Sequence, residues 1–284
     1  MIIGVASGKG GTGKTTVAVN LALALGEASF LDCDVENPNA HLFLKPRISE
    51  MRRVTVTCPE IDLAKCSFCG TCQSVCAYHA ITVIPPKEGR QGTVLTFPHL
   101  CRGCGGCKIY CPTKAIREVQ RDIGVIELGC RNHIDFAGGR LNIGETRSPH
   151  LIAHVKQCLN GHSTGIIDAP PGTSCPMIAA IKDCDYVLLV TEDTPFGLHD
   201  LELAMDAARA SQIPFGVVLN RSGTEDNGIK GYCYSHGVPF LMDIPYDKGI
   251  AESQSDGIPM VESNPEYKAK FLDLYHRIEK ERGV

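Results

Sequence analysis

Short, unbroken apolar runs alternate along this chain with stretches whose apolar residues recur at helical spacing. Met1–Ala6, Gly165–Asp168, Tyr186–Val190 and Phe215–Asn220 are runs of the first kind, and Ser29–Asp34 is another that ends in acidic residues. Because they are continuous rather than alternating, they predict strands buried on both faces. Between them Thr15–Leu25, Leu151–Leu159, Cys175–Ile181 and Leu198–Ala210 read as helices, with a shorter one at His41–Leu44. Arg53–Thr57 alternates β-branched residues and predicts a further strand, as does Pro239–Met242. In Pro265–Glu281, Phe271, Leu274, Tyr275 and Ile278 share one helical face. The opposite face carries both signs of charge, which predicts packing on the protein's own sheet rather than on a membrane surface. Strands alternating with helices predict the α/β class, a doubly wound and mostly parallel sheet covered on both faces.

The pattern breaks between residues 58 and 117, where cysteines, glycines and prolines replace it. That stretch reads as an inserted small α+β domain, leaving residues 1–57 and 118–284 as one discontinuous α/β domain. Gly124–Leu128 returns to the strand pattern, and residues 136–145 (FAGGRLNIGE) read as a glycine-rich connection. The 284-residue length suits one large domain plus a smaller one. A net charge of −4 gives no electrostatic case for nucleic acid or an anionic membrane. No apolar run approaches the roughly 18 residues of a membrane span, and the N-terminus shows no export signal, so no membrane anchor and a cytoplasmic location are expected. Fifteen cysteines in that compartment point to metal or redox chemistry rather than to disulfides.

Two features carry candidate chemistry. The first is Gly8-Lys-Gly-Gly-Thr-Gly-Lys-Thr-Thr16, lying between a predicted strand and a predicted helix. Gly8, Gly10, Gly11 and Gly13 let backbone N–H groups close on an anion, joined there by those of Thr12 and Thr16 and by the positive end of the helix. Lys14 can reach the β- and γ-phosphates of a nucleotide, and the Thr15 hydroxyl can sit on Mg²⁺. Asp168, closing the strand before Ala-Pro-Pro-Gly172, supplies the carboxylate such a loop needs to organise the metal.

The second lysine in the loop, Lys9, sharpens the picture: Lys-Gly-Gly-Thr-Gly-Lys-Thr resembles the deviant Walker A motif of the MinD, ParA, Mrp and nitrogenase iron protein superfamily. The resemblance implies a homodimer across the nucleotide site, with Lys9 contacting the partner's nucleotide. Asp168-Ala-Pro-Pro-Gly172 looks like the superfamily's switch II, with Gly172 donating an N–H to the γ-phosphate. Asp32-Cys-Asp34 resembles switch I, which implies that Asp34 orients or deprotonates the attacking water while Asp32 supports magnesium. Asn220 matches the superfamily's adenine-reading asparagine. The Asn-Arg-Ser-Gly at 220–223 lacks the Asn-Lys-x-Asp of guanine readers, which favours ATP.

The second feature is a repeat. Cys66-x2-Cys69-x2-Cys72-x3-Cys76 is followed by Cys101-x2-Cys104-x2-Cys107-x3-Cys111-Pro112, and each run leads into Ala-Ile (80–81 and 115–116). The alternative, a pair of zinc knuckles, fits the second C-x2-C step of each run and the x3 spacing poorly. The repeat resembles bacterial two-cluster ferredoxins, with Ala77 where the second run has Pro112. That resemblance implies two 4Fe–4S clusters, the fourth cysteine of each run crossing to the other cluster. Cluster one would take Cys66, Cys69, Cys72 and Cys111, and cluster two Cys76, Cys101, Cys104 and Cys107. Cys175 reads first as a small buried residue. It also stands at the offset from Asp168 at which the nitrogenase iron protein carries a cluster ligand.

The chain therefore reads as an ATP- and Mg²⁺-dependent hydrolase coupled to two 4Fe–4S clusters, delivering electrons to a redox or iron–sulfur partner protein. Two alternatives remain at this level: an iron–sulfur assembly or carrier ATPase, and a MinD- or ParA-like positioning ATPase with a redox-sensing insert. The Cys-x-x-Cys typical of Mrp-type carriers near the C-terminus is absent, which weighs against the first of these.

Overall fold

The computed structural model describes residues 1–159, 164–223 and 228–283. In chain order the elements begin with β1 (Ile2–Ala6), α1 (Lys14–Leu25), β2 (Glu27–Asp32), α2 (Ala40–Leu44) and β3 (Arg47–Ile61). Next come α3 (Thr71–Ser74), β4 (Ile81–Ile84), β5 (Thr93–Thr96), α4 (Gly106–Ile109), β6 (Ile116–Arg131) and β7 (His133–Leu141). Then follow α5 (Ser148–Lys156), β8 (Gly165–Asp168), α6 (Cys175–Ile181), β9 (Tyr186–Glu192), α7 (Pro195–Ala210) and β10 (Phe215–Ser222). The chain closes with α8 (Ile229–Ser235), β11 (Phe240–Pro245), α9 (Lys248–Ser255), α10 (Met260–Ser263) and α11 (Pro265–Arg282).

Two compact units share these elements, one made of Met1–Arg52, Val125–Leu141 and Arg147–Val284, the other of Arg53–Gly124 and Asn142–Thr146. A sheet runs in the order β11-β10-β9-β1-β8-β2-β7-β6-β3; the first unit holds all of it except β3 from Arg53 onward and β6 up to Gly124, which count with the second. β1 pairs in parallel with β8 and β9, β2 with β7 and β8, and β10 with β9 and β11. Helical crossovers between parallel strands bury both faces, which is why the central strands are apolar throughout. α1 and α11 pack together on one face, where Val17, Leu21, Tyr267, Phe271, Leu274 and Ile278 join a single buried core. The apolar face of α11 therefore meets the protein's own core, with Tyr267 in it and Tyr275 only half-buried.

The glycine-rich stretch at 136–145 is not a connection: through Leu141 it is the strand β7. A Cβ on Gly139 would lie 2.6 Å from Val35 and 2.7 Å from Val155, so glycine there admits a close helix rather than making a turn. β3 and β6 are also far longer than their apolar cores, since each extends into polar, exposed residues. β2 ends at Asp32, which leaves Cys33 and Asp34 in the following loop.

The second unit holds the hairpin β4–β5, antiparallel with Ile81 opposite Thr96, and the two short helices α3 and α4, which pack together. No helix among the described residues is long and apolar enough to cross a membrane.

Candidate functional site

The C-terminal ends of the central strands assemble one site in the first unit. Switch points of an open parallel sheet leave a crevice there, because the connections on either side of β1 depart to opposite faces. β1 gives way to the loop 7–13, and Asp168 pairs in register with both Val5 and Asp32. The loop's glycines are required by contact. A Cβ on Gly8 would meet the Asp200 carbonyl at 1.9 Å, and one on Gly13 (φ 90°) would meet the Asn220 amide at 2.1 Å. α1 starts without a side-chain cap, so its first-turn N–H groups are left for an anion. The cleft above measures about 470 Å³ and is lined by Gly11, Lys14, Thr15, Asp34, Pro171 and Arg221 among others. That volume is in the range of nucleotide-sized ligands.

Three carboxylates meet beside Lys14. Thr15 Oγ1 donates to Asp168 Oδ2 at 2.5 Å, while Asp168 Oδ1 is buried without a hydrogen-bond partner. Burial pushes the Asp168 carboxyl up to about 7, against the pull of Lys14 and of the Thr15 hydroxyl. Burial, and then the neighbouring Asp168, raises Asp32 well above the carboxylate range, and burial raises Asp34 despite Lys14. Asp32 uses both its oxygens to hold the loop that follows it, accepting from Asp34 N at 3.2 Å and Ala40 N at 3.1 Å. Buried carboxylates with raised pKa and an orphaned oxygen form a donor set suited to a hard divalent cation.

The second unit repeats itself at an offset of 35 residues. Phe68 and Gly103, Gly70 and Gly105, and His79 and Lys114 all take positive φ at matching positions. Phe68 N donates to Cys66 Sγ at 3.4 Å as Gly103 N does to Cys101 Sγ, and Ala80 N donates to Cys76 Sγ at 3.3 Å as Ala115 N does to Cys111 Sγ. Cys66, Cys69, Cys72 and Cys111 line one pocket, walled by Ile61, Phe68, Val83 and Ile116. Cys76, Cys101, Cys104 and Cys107 line another, with Cys58, Tyr78 and Arg102 at its wall. None of the eight cysteines forms a disulfide. Among the described residues no three His, Cys, Asp or Glu side chains converge to hold a single ion, as a zinc site would need. A cubane makes no such demand, because each thiolate binds a different iron.

The fold matches solved structures of MinD. The cell division ATPase MinD of Pyrococcus furiosus superposes with a TM-score of 0.60 at 23% identity, over 98% of both chains. The septum site-determining protein MinD of Pyrococcus horikoshii, complexed with Mg-ADP, gives 0.60 at 22% identity over 98% of this chain and 96% of that one. The CobQ/CobB/MinD/ParA nucleotide-binding domain matches residues 3–260. This chain belongs to that family. An uncharacterized protein of Methanocaldococcus jannaschii is 31% identical across 98% of this chain and 95% of its own length. An iron-sulfur cluster carrier protein of Pyrococcus horikoshii is 26% identical across 97% and 84%.

In this CobQ/CobB/MinD/ParA-family ATPase the remaining expected residues are engaged with the chain itself. Lys9 Nζ lies 3.6 Å from Glu192 Oε2, and Glu192 also holds Arg221 at 2.7 Å. Gly172 N, expected to face a γ-phosphate, donates to the Ser7 carbonyl at 3.0 Å. Asn220, matched to an adenine reader, is buried beneath Gly13 and donates to the Thr12 carbonyl at 2.8 Å. Cys175 is not the small buried residue expected of a free cysteine but is exposed at the start of α6. Glu192 was missed in the sequence: it stands at the end of an apolar run like Asp168, yet no motif contains it.

Proposed function

We propose that the protein is a dimeric, Mg²⁺-dependent ATPase that carries two 4Fe–4S clusters and delivers single electrons to a partner protein. The observation that carries this reading is the sorting of eight cysteines into two pockets, each lined by one of the quartets that the ferredoxin resemblance implies. On this reading Lys14 and the loop N–H groups of residues 8–16 hold the β- and γ-phosphates. Thr15 and Asp168, with Asp32 behind them, hold Mg²⁺. Asp34, whose burial raises its basicity, takes the proton of the attacking water. Lys9 leaves Glu192 to reach the partner's nucleotide, Gly172 turns its N–H to the γ-phosphate, and Asn220 borders the adenine. The clusters, when bound, supply one-electron carriers. The chain's own part is to fix eight thiolates, wall the Cys66/Cys69/Cys72/Cys111 pocket with Ile61, Phe68 and Val83, and donate backbone N–H groups to the sulfurs of Cys66 and Cys101.

Domain boundaries at 57/58 and 117/118 belong to the same proposal. Because the inserted stretch follows the Asp32–Asp34 loop in the chain, nucleotide occupancy would bias how the clusters meet a partner. Anaerobic purification with iron and sulfide analysis, followed by ATPase assays on oxidised and reduced protein, tests the reading. About eight irons and eight sulfides per chain and a turnover that depends on redox state are expected. Colourless protein lacking both elements would refute it.

Cluster delivery to other proteins is the second reading, favoured by the name of the Pyrococcus carrier relatives. Ready transfer of iron and sulfide to an apo-acceptor would support it over electron transfer. The positioning alternative would need ATP-dependent attachment to membrane or DNA, for which the net charge of −4 offers no support.

A further inference from the structure

The two halves of the cysteine unit form an internal control. Backbone conformation, the helical turns after Cys69 and Cys104, and the four backbone N–H···S bonds repeat at the same offset within about 0.1 Å. Three hydroxyls break the repeat: that of Ser67, which bonds Cys69 and has Arg102 as its counterpart, and those of two threonines. Thr71 Oγ1 lies 3.3 Å from Cys69 Sγ, and Thr113 Oγ1 lies 3.8 Å from Cys111 Sγ. Their counterparts are Gly106 beside Cys104 and Tyr78 beside Cys76. Neither places a hydroxyl on a cysteine among the described residues. Although the two threonines sit in different halves, both cysteines belong to the quartet Cys66, Cys69, Cys72 and Cys111, because the fourth member crosses over.

We propose that Thr71 and Thr113 set the two quartets apart, making the Cys66/Cys69/Cys72/Cys111 site the one that takes up an electron first. The inference rests on the reading of these quartets as cluster sites. A metal-bound thiolate has no proton, so the hydroxyl must donate in both contacts. Donation to sulfur withdraws charge and favours the reduced, more negative cluster, which raises its reduction potential. The opposing influence is Arg102, which lines the other pocket with its guanidinium 5.7 Å over the Tyr78 ring. Arg102 is exposed, so water and salt screen it. Glu118, on the same wall, is paired with Lys108 at 2.6 Å and adds no net charge. Two direct hydrogen bonds therefore outweigh one solvated cation. Each cluster gains one electron from an external one-electron reductant, and the threonines decide only the order of filling.

The test is a dithionite titration of the full-length, anaerobically prepared protein, followed by electron paramagnetic resonance. Two separated one-electron steps are expected. In the T71V/T113V variant the upper step should fall toward the lower, while Thr71→Ser, which keeps the hydroxyl, should leave it in place. Gly106→Thr supplies the missing hydroxyl to the other quartet. A Cβ there would meet only Cys104 Sγ, at 3.8 Å, so the site accepts it. In that variant the lower step should rise while the upper one stays. Clusters present in stoichiometric amount with an unmoved upper step in T71V/T113V, or with the lower step falling instead, would overturn the inference alone. Protein without iron and sulfide would overturn it together with the function it rests on.

Discussion

Replacing Asp168 by Asn separates what this residue costs the fold from what it does in the site. Burial raises the Asp168 carboxyl from 3.8 to about 7, so above neutrality the folded chain carries a charge it holds poorly. At about 1.4 kcal/mol per pKa unit, the ionised carboxyl costs the fold about 4 kcal/mol. The asparagine keeps an oxygen for the Thr15 hydroxyl but puts an NH₂ where Oδ1 has no partner. A buried, unsatisfied donor costs about 1–3 kcal/mol, leaving a net gain of about 2 kcal/mol. A carboxyl with a raised folded pKa makes the folded chain bind more protons than the unfolded one. Stability of the parent therefore falls as pH rises from about 4 to about 7 and is level beyond. The gain is largest at pH 8, shrinks on acidification, and reverses near pH 4 where only the amide's cost remains. Thermal unfolding in chelator without nucleotide should show Asp168→Asn melting about 4 °C above the parent at pH 8. Adding Mg²⁺ and ATP should raise the parent's midpoint and leave the variant's unchanged. A variant that melts at or below the parent at pH 8, or gains equally at pH 8 and pH 5, would refute the reasoning.

Further outcomes follow from contacts already described. Gly13→Ala meets the Asn220 amide at 2.1 Å in a backbone conformation alanine resists, so calorimetry should find ATP affinity reduced at least about tenfold. Lys14→Ala should abolish hydrolysis in a phosphate-release assay. Lys9→Ala should spare nucleotide binding by single chains while preventing the dimer seen by light scattering with a non-hydrolysable triphosphate. Cys72→Ser removes a thiolate from one quartet only, so iron per chain should fall from about eight to about four.

The parallel core was legible because its strands are continuous apolar runs, and Gly165–Asp168 and Cys175–Ile181 begin and end where their sequence pattern does. Signals that mean one thing locally and another in three dimensions misled the reading elsewhere. The glycine-rich stretch 136–145 read as a connection, although Gly139 thins a strand to admit Val35, Leu151 and Val155. The outer halves of β3 and β6 are polar and exposed, so periodicity cannot see them; only pairing reveals those strands. Cys175 read as buried because free cysteines usually are, yet it opens α6 on the exposed side and stays in solvent. Within the cleft, Lys14 and Asp168 were named from the loop and strand pattern, and the cysteine quartets from the ferredoxin resemblance. Glu192 and the Asn220–Thr12 bond were not, because each joins the C-terminal end of β9 or β10 to the loop after β1, far away in sequence.

On the proposed function, that last class of contact would decide how the site distinguishes a triphosphate from a diphosphate. Asn220 and Thr15 hold the loop and the carboxylate in bonds that the proposed ligands need not break. Lys9 and Gly172, the two groups proposed to meet a γ-phosphate, are bound instead to Glu192 and the Ser7 carbonyl. A diphosphate gives neither group a reason to leave. A triphosphate offers charge-assisted bonds about twice as strong as the neutral one on Gly172, so the exchange favours release. The Lys9–Glu192 pair is partly exposed, with side chains 30% and 18% accessible, and its worth is up to about 1 kcal/mol. Glu192→Gln keeps the shape and removes the competing charge. It should favour the triphosphate-bound dimer about threefold, read by light scattering with a non-hydrolysable triphosphate, and leave ADP affinity unchanged, read by calorimetry at fixed Mg²⁺. An equal rise in ADP affinity would mean that Lys9 already serves the diphosphate, and Glu192 would then have no part in the discrimination.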